Sequence, residues 1–153
     1  MKPGGTYTQL YIHIIFAVYE RQSLIKEEWK EALYTYMTGV VRTRKHKLIA
    51  INGMPDHVHL LIGLHPEEGL TDLVRETKKA TNKWIRMKGY SKNFYWQSGY
   101  GAFSVSRSSL DQVIAYIMNQ EEHHATKTLS EEYVGFLKSY GIKYDERYIF
   151  SRC

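Results

Sequence analysis

The run His57-Val58-His59-Leu60-Leu61-Ile62 decides the reading of this chain. It is apolar apart from its two imidazoles, and extended to Leu64 it has the length of a strand. Side chains at i and i+2 of a strand share a face, so His57 and His59 converge on one point. Imidazole is a common ligand for divalent ions, and two on one strand face form a ready chelate. Asp56 adjoins the pair. Two histidines at a sheet surface, satisfied by ordinary hydrogen bonds, are the competing reading.

Upstream, Leu48 to Ile51 reads as a strand, and Asn52-Gly53 followed by Met54-Pro55-Asp56 as the turn into the histidine strand. Trp29, Leu33, Met37 and Val40 form an apolar stripe at helical spacing, with Ser23 as its cap. That helix runs into Arg42-Thr43-Arg44-Lys45-His46-Lys47, whose cations suit a helix C-terminus. Thr6 to Tyr19 alternates Leu10, Ile12, Ile14, Phe16 and Val18 with Tyr11, His13, Ile15 and Ala17, which reads as a first strand. His13 lies on a strand expected to pair with the histidine strand, and a structural role suits it best.

Downstream, Thr71 can cap a second helix carrying Leu73, Val74, Thr77, Ala80, Trp84 and Ile85 on one side. Lys88-Gly89-Tyr90 ends it, and an aromatic loop follows with Phe94, Tyr95 and Trp96. Tyr100 to Ser106 is a fourth strand. A third helix starts at Ser108 or Ser109, and a short helix spans Ser130 to Tyr140. The order β-α-β-β-α-β, then helix, predicts an α+β fold. It is the ferredoxin-like, split β-α-β antiparallel sheet, with helices on one face plus a C-terminal helix that bears Tyr116. One domain over residues 1–153 suffices, and that length buries a core without staples.

The third helix carries the second chemical signal. Tyr116 and Gln120 are four residues apart, hence neighbours on a helix. Gln120 is a candidate third ligand to the histidine pair. Tyr116 is a candidate nucleophile on a phosphodiester. A free phenol, with a pKa of ~10, is weak at neutral pH, so a metal must polarise the phosphate. The same helix face, Gln112, Tyr116, Asn119, Gln120 and His123, also reads as a solvated surface. His123 and His124 are possible proton carriers.

The net charge of +5 and the pI near 9.2 favour an anionic partner without identifying it. Arg75, Lys79 and Arg86 lie along one stripe of the second helix, with Lys78 and Lys83 beside it. They can hold a DNA backbone, with Trp96 or Tyr100 stacking on bases, or simply be solvated. The sequence contains no phosphate-binding glycine loop and no paired-cysteine zinc site. Cys153 is the single cysteine, so no internal disulfide forms. Met1 to Thr6 lacks a signal-peptide pattern, and Leu10 to Val18 is too short to span a membrane. The expectation is a cytoplasmic protein with no membrane association.

These residues resemble the HUH nucleases, specifically the single-tyrosine transposases of single-strand insertion sequences, the IS200-like family. Pro55-Asp56-His57-Val58-His59-Leu60 looks like that family's His-hydrophobic-His strand, and Tyr116-Ile117-Met118-Asn119-Gln120 like its tyrosine helix. Trp96-Gln97-Ser98-Gly99-Tyr100-Gly101-Ala102-Phe103 and Gly141-Ile142-Lys143-Tyr144-Asp145-Glu146-Arg147 also look familial. The resemblance implies dependence on Mg²⁺ or Mn²⁺ and a homodimer with a joined sheet. It implies single-stranded DNA with hairpins at element ends as substrate, cut through a 5′-phosphotyrosine link that leaves a free 3′-hydroxyl. Tyr116 would be the nucleophile, and His57, His59 and Gln120 the metal ligands. Two alternatives stand beside it: a non-catalytic ferredoxin-like nucleic-acid-binding module, and a metallonuclease that activates water.

Overall fold

A computed structural model describes residues 5–123 and 127–145. His124, Glu146, Arg147 and Cys153 lie outside the described residues, as does the side chain of His123. Four strands form one sheet in the order β2-β3-β1-β4. They are β1 (Tyr11–Ala17), β2 (Lys47–Met54), β3 (His57–Gly63) and β4 (Gly101–Val105). Every pairing is antiparallel. With α1 (Glu27–Thr43) after β1 and α2 (Leu70–Met87) after β3, the chain has the ferredoxin-like order expected from its sequence.

β1 and β3 are central and covered on both faces, which is why β3 reads as an almost unbroken apolar run. Val58, Leu60 and Ile62 join Ile14 and Phe16 against Leu33, Met37, Leu73 and Ile85 of α1 and α2. Burying each such side chain contributes roughly 1.5–3 kcal/mol. The alternate residues of the two central strands, His57, His59, Leu61, Ile15 and Ala17, face the other way.

That second face is covered as well. α3 (Leu110–Met118) sets Ile117 against Ala50, Leu61 and Val105. α5 (Leu129–Ser139) sets Leu129 and Leu137 against Ile15, Ala17 and Phe103. A four-residue helix, α4 (Gln120–His123), precedes α5. Helices therefore flank both faces, and His57 and His59 point into the layer built by the C-terminal ones. No helix among the described residues is long and apolar enough to cross a membrane.

Several boundaries differ from the sequence reading. Asn52 and Gly53 lie inside β2, opposite His59 and Val58, and only Pro55 and Asp56 form the turn. Gly53 is required there by close approach, because a Cβ would meet the His57 carbonyl oxygen at 2.2 Å. α1 starts after Lys26 rather than Ser23, and α2 after Gly69 rather than Thr71, neither with a side-chain cap. α5 is capped by Thr128, whose hydroxyl accepts from Glu131 N–H while the Glu131 carboxylate accepts from Thr128 N–H, a reciprocal capping box.

Candidate active site

β3 places His57 and His59 on the second face, both fully buried. Each ring is held by its Nδ1. Asp56 Oδ1 lies 2.7 Å from His57 Nδ1, and His13 Nε2 lies 2.8 Å from His59 Nδ1. Burial, with His59 as a second cause, holds His13 down to about 3, so it stays neutral. When Nδ1–H of His59 donates to that neutral ring, the His59 Nε2 lone pair faces the site. Fixing one imidazole nitrogen so that the other is presented is how ligating histidines are usually oriented.

The two Nε2 atoms meet a carboxylate from α5. Glu132 Oε1 lies 3.4 Å from His59 Nε2 and 3.8 Å from His57 Nε2. One ligand atom from each of the three residues falls within 4.8 Å of the others. Glu132 is only 5% exposed, and burial pushes its carboxyl up to about 7, against the pull of His57. A buried carboxylate beside two imidazoles is a donor set for a divalent cation, whose charge would offset the cost of ionising Glu132 there.

Gln120 completes the cluster. It is fully buried, and its Oε1 lies 3.3 Å from His57 Nε2. The helix that carries Tyr116 stops at Met118, so Tyr116 and Gln120 are not on one continuous helix. The spacing survives because Gln120 Nε2 donates to the Tyr116 carbonyl at 3.2 Å, taking the place of a helical bond. Asn52 Nδ2 donates to the carbonyls of Ile117 (3.0 Å) and Met118 (3.2 Å). Two side chains thus satisfy the last carbonyls of α3, and through Asn52 β2 fixes the end of the tyrosine helix.

Tyr116 is half-buried beside the cluster. Its ring centroid lies 5.9 Å from that of His59 and 6.3 Å from that of His13, both edge-on, and 5.6 Å from that of Phe136 on α5. The phenol and the candidate metal ligands of one chain therefore share one pocket. His57, His59, Gln120 and Tyr116 come together as the sequence spacing suggested. His13 takes a supporting role, holding His59.

The proposed DNA-binding residues are distributed differently. Trp96 is a core residue: it is 5% exposed, its Nε1–H donates to Thr81 Oγ1 at 2.8 Å, and it packs edge-on against Phe16 and Phe94. It has no face left for a base. Lys78 ties down the aromatic loop, with Nζ donating to the carbonyls of Gln97 (2.8 Å) and Gly99 (2.6 Å), and burial lowers it to about 8. Arg75, Lys79, Lys83 and Arg86 are exposed on α2, behind the sheet from the histidines. Arg75 pairs with Asp72 and Glu76, and Arg86 Nε donates to the Phe94 carbonyl.

Glu132 was missed because α5 reads as an ordinary short helix. Its signal is local: the Thr128–Glu131 box fixes the phase, and Glu132 then falls on the apolar face with Leu129 and Phe136. A lone acid on such a face marks a carboxylate with a partner.

The family model described as "Transposase IS200 like" matches residues 6–120. The chain belongs to the IS200-like transposase family. It is 28% identical over 130 residues to the ISDra2 transposase TnpA of Deinococcus radiodurans, covering 80% of this chain and 92% of that protein. A crystal structure from Deinococcus radiodurans, assigned as a transposase, superposes with a TM-score of 0.62 at 28% identity, covering 78% of this chain and 98% of the other. A REP-associated tyrosine transposase bound to a REP hairpin gives 0.60 at 19% identity, over 81% and 74% of the two chains, and supports the fold. This transposase is accordingly a DNA-processing enzyme. The family match ends at Gln120, so Glu132 lies outside the matched segment.

Proposed function

We propose that this transposase cuts and rejoins single-stranded DNA at hairpin-bearing element ends, with Tyr116 as nucleophile. The observation that carries the reading is the Tyr116 ring lying 5.9 Å from His59 inside the His57–His59–Glu132 cluster. His57, His59, Gln120 and Glu132 would hold Mg²⁺ or Mn²⁺. Such an ion polarises a phosphodiester towards attack. Asp56 and His13 orient the two imidazoles. The Tyr116 oxygen bonds to phosphorus as the bond to the 3′ oxygen breaks. The phenol's proton is balanced by the one gained by the departing 3′-hydroxyl, and a 5′-phosphotyrosine remains. The retained ester stores the energy of the cut bond, so rejoining needs no nucleotide triphosphate.

We take the active form as a cytoplasmic homodimer of one-domain chains. The edge strands β2 and β4 are the available places for a joined sheet. The exposed stripe Arg75, Lys79, Lys83 and Arg86 would hold DNA backbone away from the cut, since it lies behind the sheet. Labelled single-stranded hairpin oligonucleotides from DNA flanking the gene, incubated with Mn²⁺ or Mg²⁺, test the reading. Label should migrate with the protein on a denaturing gel and vanish with chelator or with Tyr116→Phe. Cleavage without protein-bound label would instead favour a hydrolase that activates water. Binding with neither would favour a module without chemistry.

A further inference from the structure

We infer that Arg21 is a phosphate-binding residue of this active site, exchanging its present partner on α5 for a backbone oxygen of the incoming strand. The inference rests on the reading of the site as a single-strand DNA nuclease and adds a residue to it. Glu20 and Arg21 both have φ of 54°, two successive non-glycine residues in the left-handed region. Such a turn persists only where its surroundings impose it, and these strained turns concentrate at functional sites.

Here the surroundings are explicit. Val18 N–H donates to the Asp56 carbonyl at 2.8 Å, Tyr19 N–H to the Tyr95 carbonyl at 3.1 Å, and Glu20 N–H to Gln97 Oε1 at 2.8 Å. The turn is thus fastened to the residue that holds His57. From it the half-buried Arg21 side chain reaches α5, where Nη1 donates to Ser130 Oγ, two residues before Glu132.

The guanidinium is poorly matched in that position. Its Nε is buried, and among the described residues nothing accepts from it. No carboxylate among the described residues forms an ion pair with Arg21, although Arg44 and Arg75 each have one. A planar guanidinium held against one neutral hydroxyl, on the helix that also carries Glu132, suits a pair of oxygens such as those of a phosphodiester. His57, His59 and Gln120 are fully buried, so an incoming strand has to exchange for contacts around the cluster. Exchange of the Arg21–Ser130 bond for a phosphate oxygen frees the donor while Glu132 stays in the cluster.

Binding of a fluorescent hairpin oligonucleotide with a single-stranded extension, taken from DNA flanking the gene, tests this. The full chain carrying Tyr116→Phe is used, at several salt concentrations. R21Q should weaken binding roughly tenfold or more and reduce the magnitude of the salt slope by about 0.7, the value of one single-strand phosphate contact. R21K should retain the slope. S130A should bind as well as the parent or better. An unchanged slope in R21Q overturns the inference, even if affinity falls, because a structural role would not alter ion release. A parent chain that binds no strand overturns it together with the functional reading. A chain that binds but forms no adduct in its Tyr116 form overturns that reading alone, and the slope still decides on Arg21.

Discussion

His13 Nε2 lies 2.8 Å from His59 Nδ1, and both rings are buried. This bond joins the strand next to β3 to the candidate metal site, and it fixes which nitrogen of His59 points inwards. His13→Ala should lower Mn²⁺ affinity by about 10–100-fold, as loss of such an orienting partner usually does. Titration followed by electron paramagnetic resonance of free Mn²⁺ measures it. Unchanged affinity would show that His59 is oriented by its packing alone.

Glu132 gives the metal-free protein a pH dependence of definite sign. Its folded carboxyl lies near 7, above the ordinary 4.5, because of burial. A carboxyl raised on folding is stabilising while protonated, so its contribution is present below 4.5 and is lost as pH rises through 7. With chelator present, wild type should lose on the order of 3 kcal/mol relative to Glu132→Gln between pH 4.5 and pH 8. Saturating Mn²⁺ should reverse the trend at pH 8, since the ion favours the carboxylate. Urea melts of both proteins at several pH values make the comparison. Parallel pH profiles would place the Glu132 carboxyl in an ordinary environment.

Asn52→Ala removes both side-chain bonds to the end of α3. It should cost roughly 1–2 kcal/mol of stability. Adduct formation should fall further than stability explains, because Tyr116 and Gln120 flank the carbonyls that Asn52 holds. The check is adduct yield at a temperature where the variant is fully folded. Full yield there would show that α3 needs no tie to β2.

Trp96→Ala should destabilise by roughly 3–5 kcal/mol, as expected for emptying a large core site. Trp96→Phe should cost much less and leave single-strand affinity unchanged. A large affinity loss in the folded Phe variant would return Trp96 to the DNA interface.

Much of this was legible in the sequence where local rules decide. Two-residue alternation put His57 and His59 on one face, and the element order alone gave the ferredoxin-like sheet. The Tyr116–Gln120 spacing also predicted a true neighbour relation, although the helix breaks at Asn119 and a side chain supplies the bond. Failures came where tertiary contacts decide. Trp96 and Lys78 look like a stacking platform and a backbone cation, yet one fills the core beside Phe16 and the other binds loop carbonyls. Asn52-Gly53 carries a turn signature but is strand, because Gly53 fits beneath the His57 carbonyl and Asn52 has α3 to cap. Glu132 is separated from His59 by most of the chain's second half, and only the docking of α5 joins them.

In the proposed reaction Tyr116 becomes covalently joined to DNA. Trypsin cleaves after Arg107 and Lys127, and residues 108–127 contain one tyrosine, Tyr116. Mass spectrometry of that peptide, after reaction with a hairpin substrate and Mn²⁺ and nuclease trimming, localises the bond directly. A nucleotide phosphate is expected on Tyr116, absent with chelator. Cleaved DNA with this peptide recovered unmodified, and no other peptide carrying nucleotide, would contradict it.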